Sequence, residues 1–134
     1  IELLLNYCMR YYDRQFITRS LVNKDILGRF EKLLDDYFQS DKPVILGLPT
    51  VKYCAENLYL SANYLGDLIK KETGKSPQEH IQFKIISIAR EKIFDTGKTI
   101  SQIAFELGFK HPQHFSRMFK NETGLTPNNY RSLN

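Results

Sequence analysis

Apolar residues return every three or four positions over the last third of the chain, and the pattern is broken by glycine at two places. Ile100, Ile103, Ala104 and Leu107 fall at i, i+3, i+4 and i+7, which predicts a short helix with one buried face. Ala104 is small enough to let a second helix cross closely. Gly108 is placed to end the first helix in a left-handed turn, and Phe109 is placed to plug the corner behind it. Pro112 suits the first turn of a following helix, where its missing N–H costs nothing, and that helix runs to about Thr123 with Gly124 closing it. Its inner face is Phe115, Met118 and Phe119. Two short helices about a tight turn read as a helix-turn-helix.

The same arrangement occurs once more upstream. Thr50 caps a helix with Val51, Cys54, Ala55 and Leu58 on one face. Ser61 caps the next, from Ala62 to Thr73, with Tyr64, Leu65, Leu68 and Ile69 inward and Gly74 at its end. Lys70, Glu72, Thr73, Gly74 and Pro77 recur fifty positions later as Lys120, Glu122, Thr123, Gly124 and Pro127, while Leu65 and Ile69 recur as Phe115 and Phe119. Before the turn the offset is 49, with Ala55 matching Ala104 and Leu58 matching Leu107, so the second turn is one residue longer. A repeat that holds a whole helix-turn-helix per copy predicts two equivalent units. Between them, Ser76 to Glu79 forms a capping-box start, and a helix of about 18 residues, roughly 27 Å long, is expected to reach Asp95 and end near Gly97.

The first forty residues carry a different pattern. Ile1, Leu4, Leu5, Cys8, Met9 and Tyr12 predict one amphipathic helix running to Phe16 or Arg19. Asn23 is placed to cap a second, with Ile26, Phe30, Leu33, Leu34, Tyr37 and Phe38 on its apolar face. Together they are expected to form a helical hairpin over residues 1–41, whose aromatic surface must pack on the basic half, on a second copy or on a further domain. Residues 42–49 hold two prolines and a glycine without helical period and read as a linker. Residues 50–134 are then the double helix-turn-helix.

Charge sharpens this division. Residues 1–41 contain six Lys/Arg against seven Asp/Glu, and residues 42–134 contain thirteen against eight, so the net charge of +4 is concentrated in the repeated half. That suits a polyanionic partner there and protein contact in the first segment. In a helix-turn-helix, the second helix enters the major groove, its outward residues in the first two turns reach base edges, and later ones reach phosphates. In the first unit the base-reading candidates are Asn63, suited to adenine, Gly66, which permits close approach, and Asp67, an acceptor for cytosine N4. In the second unit they are Gln113 for adenine, Arg117 for guanine, and His114 and Ser116 for single hydrogen bonds or a thymine methyl. Lys70, Lys71 and Lys120 lie late in these helices and are phosphate candidates, as are the helix starts at Thr50 and Thr99. Arg117 also has a structural alternative, an ion pair with Glu106 or Glu122.

Other chemistry finds no support. His111 and His114 are three apart but have no cysteine or carboxylate to complete a metal site, and no nucleophile, base and orienting group can be assembled, so neither a metal, a cofactor nor an enzyme is expected. Cys8 and Cys54 suit reduced, buried thiols. No apolar run reaches the roughly 18 residues that span a bilayer, and a cytoplasmic location is expected. The chain opens on Ile1 rather than Met, which suggests a piece of a longer protein.

The residues Ile100, Ile103, Ala104, Gly108 and Phe109, then Phe115, Arg117, Phe119 and Lys120, then Gly124, Pro127, Tyr130 and Arg131 reproduce I-x-x-I-A-x-x-x-G-F, F-x-R-x-F-K and G-x-x-P-x-x-Y-R. This resembles the C-terminal signature of the AraC/XylS family of bacterial transcription regulators. The resemblance implies a double-stranded DNA partner, transcription control that is more often activation, a contact with RNA polymerase, and a helical pair that helps to dimerise and joins an N-terminal sensor domain lying before Ile1. A homodimer through residues 1–40 is expected on that basis. Three positions depart from the family pattern: Tyr59 stands where the turn glycine belongs, His80 where tyrosine is frequent, and Ile85 where arginine is frequent, with Lys84 beside it as a partial replacement.

The sequence therefore predicts an all-α chain of two helix-turn-helix units on a long linker helix, preceded by a helical hairpin. Its expected function is sequence-specific reading of two adjacent major grooves. The alternative is a protein-interaction or dimerisation module whose DNA surface has decayed, suggested by Gly66, Asp67 and the modest charge.

Overall fold

The structure, a computed structural model, describes the backbone of residues 2–133 and the side chains of residues 18–133. The described residues form eight helices and no strand. These are α1 (Glu2–Gln39), α2 (Lys42–Leu46), α3 (Val51–Asn57), α4 (Ala62–Thr73), α5 (Pro77–Lys92), α6 (Ile100–Leu107), α7 (Pro112–Thr123) and α8 (Pro127–Arg131). Side-chain caps start five of them, four as expected and a fifth, at Thr126, beyond the sequence expectation. The side chains of Thr50, Ser61, Ser76, Thr99 and Thr126 each accept a hydrogen bond from the backbone N–H three residues on. Ser76 with Glu79 and Thr99 with Gln102 complete reciprocal capping boxes.

Helices α3–α4 and α6–α7 are the two helix-turn-helix units, and the repeat holds down to single hydrogen bonds. In the turns, the Leu60 amide donates to the Ala55 carbonyl at 2.9 Å and the Phe109 amide donates to the Ala104 carbonyl at 3.0 Å. At the ends of the second helices, Thr73 Oγ1 donates back to the Ile69 carbonyl and Thr123 Oγ1 to the Phe119 carbonyl, both at 2.7 Å. Gly74, Gly108 and Gly124 end their helices at positive φ. Tyr59, the residue standing in for Gly108 in the first turn, takes the same left-handed conformation at φ +59° with its side chain almost wholly in solvent. The first turn thus keeps its geometry and accepts the strain of a side chain in that region.

The N-terminal segment differs from the sequence expectation. In place of a hairpin, α1 is one continuous helix of 38 residues, about 57 Å long. Residues 19–23, RSLVN, contain neither proline nor glycine, so nothing forces the chain out of the helix where the break was expected. Asn23 does not cap; its amide donates to Glu72 Oε1 of α4 at 3.3 Å. The expected apolar face at its C-terminal end is real. Phe30, Leu34 and Tyr37 are buried, and Ile26, Leu27, Leu33 and Phe38 pack beside them against the helix-turn-helix half. The stripe from Ile1 to Tyr12 lies outside the described side chains.

Two further boundaries move. Residues 42–46, expected to be structureless, form α2, started by Pro43. Helix α5 has 16 residues, about 24 Å, and ends at Lys92 rather than Asp95; its C-cap, Ile93, is fully buried and continues the inner face of Ile81, Ile85 and Ala89. The segment after α5 is held by Arg131, whose guanidinium donates to the carbonyls of Ile93 at 2.7 Å, Lys98 at 2.8 Å and Asp95 at 3.3 Å. A signature arginine is thus a clamp on the connection into α6. Cys54 is buried, and burial pushes its thiol up to about 11, leaving it a protonated packing group.

Candidate functional site

Helices α4 and α7 each turn one face into the core and the other to solvent. In α4, Leu65, Leu68 and Ile69 are buried. Asn63, Asp67, Lys70 and Lys71 are exposed and Gly66 is half-buried between them. Tyr64, expected on the inner face, is about half exposed and lies with Asp67 on the flank that faces α1. In α7, Phe115 and Phe119 are fully buried, while Gln113, His114, Arg117 and Lys120 are exposed and Ser116 is half-buried. The ring stack Phe109, Phe115, Phe119 and Tyr130, with neighbouring centroids 5.2–5.8 Å apart, fixes the rotation of α7 about its own axis. That rotation presents Gln113, Arg117 and Lys120 outward.

Arg117 makes no ion pair among the described residues. The carboxylate of Glu106 is instead taken by Lys98 at 3.0 Å and Lys92 at 3.5 Å, and the Glu106 hydrogen bond holds the Lys98 amine above its ordinary pKa. The guanidinium is therefore available to a ligand. Lys84, weighed as a substitute for an arginine in the linker helix, is ion-paired with Asp35 of α1, and Ile85 is buried. His80 is also accounted for inside the fold. Its Nε2 shares a hydrogen bond with Thr73 Oγ1 at 2.8 Å, and its ring meets Phe30 edge-on. The His111 and His114 rings touch edge-to-face at 5.3 Å, and no cluster of three metal-ligating side chains occurs among the described residues.

The helix starts at Thr50 and Thr99 spend their side chains as caps, with the hydroxyls accepting from Tyr53 N at 3.0 Å and Gln102 N at 3.1 Å. The Thr99 amide is also taken, by Gln102 Oε1 at 2.8 Å. Each outward helix has a cleft along one flank. One of about 480 Å³ is lined by Arg19 and Asn23 of α1 with Tyr64, Asp67, Leu68 and Lys71. A second of about 310 Å³ brings Gln82 of α5 beside His114, Arg117 and Glu122 of α7. Sequence reasoning missed Arg19, Asn23 and Gln82, because their nearness to α4 and α7 follows from how α1 and α5 cross the units and not from any local pattern.

The helix-turn-helix domain family matches residues 54–132 of this chain. The HTH-type transcriptional regulator YtdP of Bacillus subtilis is 35% identical over 82 residues, which are 61% of this chain and 11% of that protein. The HTH-type transcriptional activator RhaS of Yersinia pestis is 29% identical over 111 residues, 83% of this chain and 39% of that protein. Among solved structures, the C-terminal domain of the response regulator AraT from Geobacillus stearothermophilus superposes with a TM-score of 0.71 at 28% identity, covering 81% of this chain and 85% of that domain. The chain spans less than two fifths of the length of the curated relatives it matches.

Proposed function

The chain belongs to the AraC/XylS family of helix-turn-helix transcription regulators, and from that premise we propose that it reads two adjacent major grooves of duplex DNA through α4 and α7. The observation that carries this reading is the atomic repeat of the two units about one 16-residue helix, each unit turning a polar second helix to solvent. A helix of about 24 Å, with half a helix diameter of about 5 Å added at each end, suits the roughly 34 Å between successive openings of the major groove on one DNA face. Base reading falls to Asn63, Gly66 and Asp67 in the first unit and to Gln113, His114, Ser116 and Arg117 in the second. Lys70, Lys71 and Lys120, with the helix starts at Thr50 and Thr99, neutralise or bind phosphate. Because the two faces differ in sequence, the site is asymmetric.

Residues 50–134 are the DNA-reading part in this proposal, residues 42–49 the connection, and residues 1–41 a segment for dimerisation or for docking a sensor domain. Since Phe30, Leu34 and Tyr37 are consumed in the core, a second copy would have to meet α1 on another face, where Leu21 and Val22 are exposed. Activation is extended to this chain from its likeness to the activator RhaS, and a contact to RNA polymerase from the family resemblance alone.

Arg117→Ala tests the base-reading assignment. It is expected to weaken binding to the preferred duplex by about 1–3 kcal/mol, roughly 5- to 150-fold, and to relax specificity at one base pair. Lys120→Ala is expected to weaken all sequences alike and to lower the salt slope by about one. Titration of both variants at two salt concentrations separates these outcomes. Uniform weakening by Arg117→Ala would reassign it to phosphate, and unchanged affinity would remove it from the interface.

Gly66 allows a test in which stability and affinity move in opposite directions. A Cβ there meets nothing within 4 Å, so Gly66→Ala is expected to stabilise the helix by about 1 kcal/mol and raise Tm by about 4 °C. In this reading the added methyl also stands between α4 and the groove floor, and DNA affinity falls. A more stable variant with undiminished affinity would show that α4 does not approach DNA at this residue.

A further inference from the structure

Helix α5 is the covalent connection between the two units, but a second connection runs through α1 and α2. Helix α1 is fastened to the first unit and to α5. Phe30 is fully buried with its ring edge-on to His80, Asn23 bonds Glu72, and Asp35 pairs with Lys84. From the end of α1 the chain crosses to the second unit, where α2 lies on α6. Two contacts lock this crossing. The Tyr37 hydroxyl, itself buried, donates to the Gly47 carbonyl at 2.6 Å. Gly47 and Leu48 then press backbone against backbone on Gly108, the turn of the second helix-turn-helix. A Cβ built on Gly108 would stand 2.8 Å from Gly47 C and 2.9 Å from Leu48 N. Gly47 holds this path at φ +88°, ψ −159°, a region essentially reserved for glycine.

The second unit is therefore held on two sides, by α5 and by a strap running from Tyr37 through Gly47 to Gly108. Two bodies joined by one helix and a loop can rock about the loop, and a second tie removes that freedom. Resting on the two-groove reading above, we propose that this strap sets the spacing between the two DNA-reading helices, with Tyr37, Gly47 and Gly108 as positioning residues. The strap meets the reading surface at one cleft, which Gly47 and Gly108 line with His114 of α7, while Asn63, Asp67, Gln113 and Arg117 lie outside it. None of the three residues belongs to α4 or α7, so loosening the strap changes which spacer is accepted and leaves the sequence of each half-block as it was.

The test measures binding to duplexes that carry both half-blocks of the selected site with the spacer shortened or lengthened by one or two base pairs. The unaltered chain is expected to prefer one spacer. Tyr37→Phe removes the hydroxyl while keeping the ring on Tyr53 and Phe38, and is expected to flatten that preference by about fivefold, the equivalent of one net hydrogen bond. Gly47→Ala, which strains the strap outside both units, is expected to flatten it further. In both variants the half-block sequences selected stay the same. If Tyr37→Phe, folded by thermal melting, keeps the spacer profile of the unaltered chain, the proposal is overturned. If the unaltered chain itself selects only one block, the two-groove reading fails, and the strap proposal with it.

Discussion

Gly108→Ala is expected to lower folding stability by roughly 3 kcal/mol and Tm by roughly 10–15 °C, against an ordinary domain stability of about 5–15 kcal/mol. Two independent effects add. An alanine at φ +106° sits where L-residues are strained, at about 1–3 kcal/mol. Its methyl would also enter within 3 Å of the Gly47 and Leu48 backbone, which cannot swing aside as the end of a flexible side chain can. Gly124→Ala is the matched control. It is at positive φ as well, but a Cβ there has nothing within 4 Å, so only the conformational part is lost. Thermal melts of the two variants side by side check the difference, and equal losses would show that the strap contact contributes nothing to stability.

Phe115→Ala is expected to be the more damaging change, at about 3–5 kcal/mol. The ring is fully buried between Phe109 at 5.4 Å and Phe119 at 5.8 Å. The stack that aims α7 is lost with it, so base preference in the second half-block is expected to disappear before binding in the first. Urea unfolding should show the midpoint falling with the slope unchanged. A loss under 1 kcal/mol would mean that α7 is not held by this stack.

The contrast between these residues and those in α1 shows what a sequence discloses. Both helix-turn-helix units, their caps, their glycine turns and the linker helix are legible because each is set by short-range rules. A Ser or Thr three residues before its amide partner, a glycine at a helix end and an apolar spacing of three and four all lie within one window. Even the oddity of Tyr59 was visible by comparing the two halves, and the structure shows it accepting the left-handed turn. The break expected in α1 rested on Asn23 as a cap, but a capping residue is also a good hydrogen-bond donor to a neighbouring helix, and Glu72 won that competition. Spacing alone places Tyr64 inward, yet its flank faces α1, whose course over α4 no local pattern encodes.

The candidate site was legible to the same depth. The outward residues of α4 and α7 follow from the helical period once the inner face is known. What could not be read was which charges are already spent. Glu106 is held by Lys92 and Lys98, which leaves Arg117 open, and Lys84, beside the position where the family often has arginine, is held by Asp35. The strap was equally hidden. Gly47 and Gly108 are 61 positions apart in sequence, and each has an adequate local explanation as a loop or turn glycine.

Whether one chain reads two successive grooves is decided by selecting random duplexes with this chain and titrating the winners at two salt concentrations. Two-groove reading gives an asymmetric motif of two blocks about 10 base pairs apart, bound with an affinity that falls steeply as salt rises. Selection of a single block, or binding with no motif at all, would contradict it.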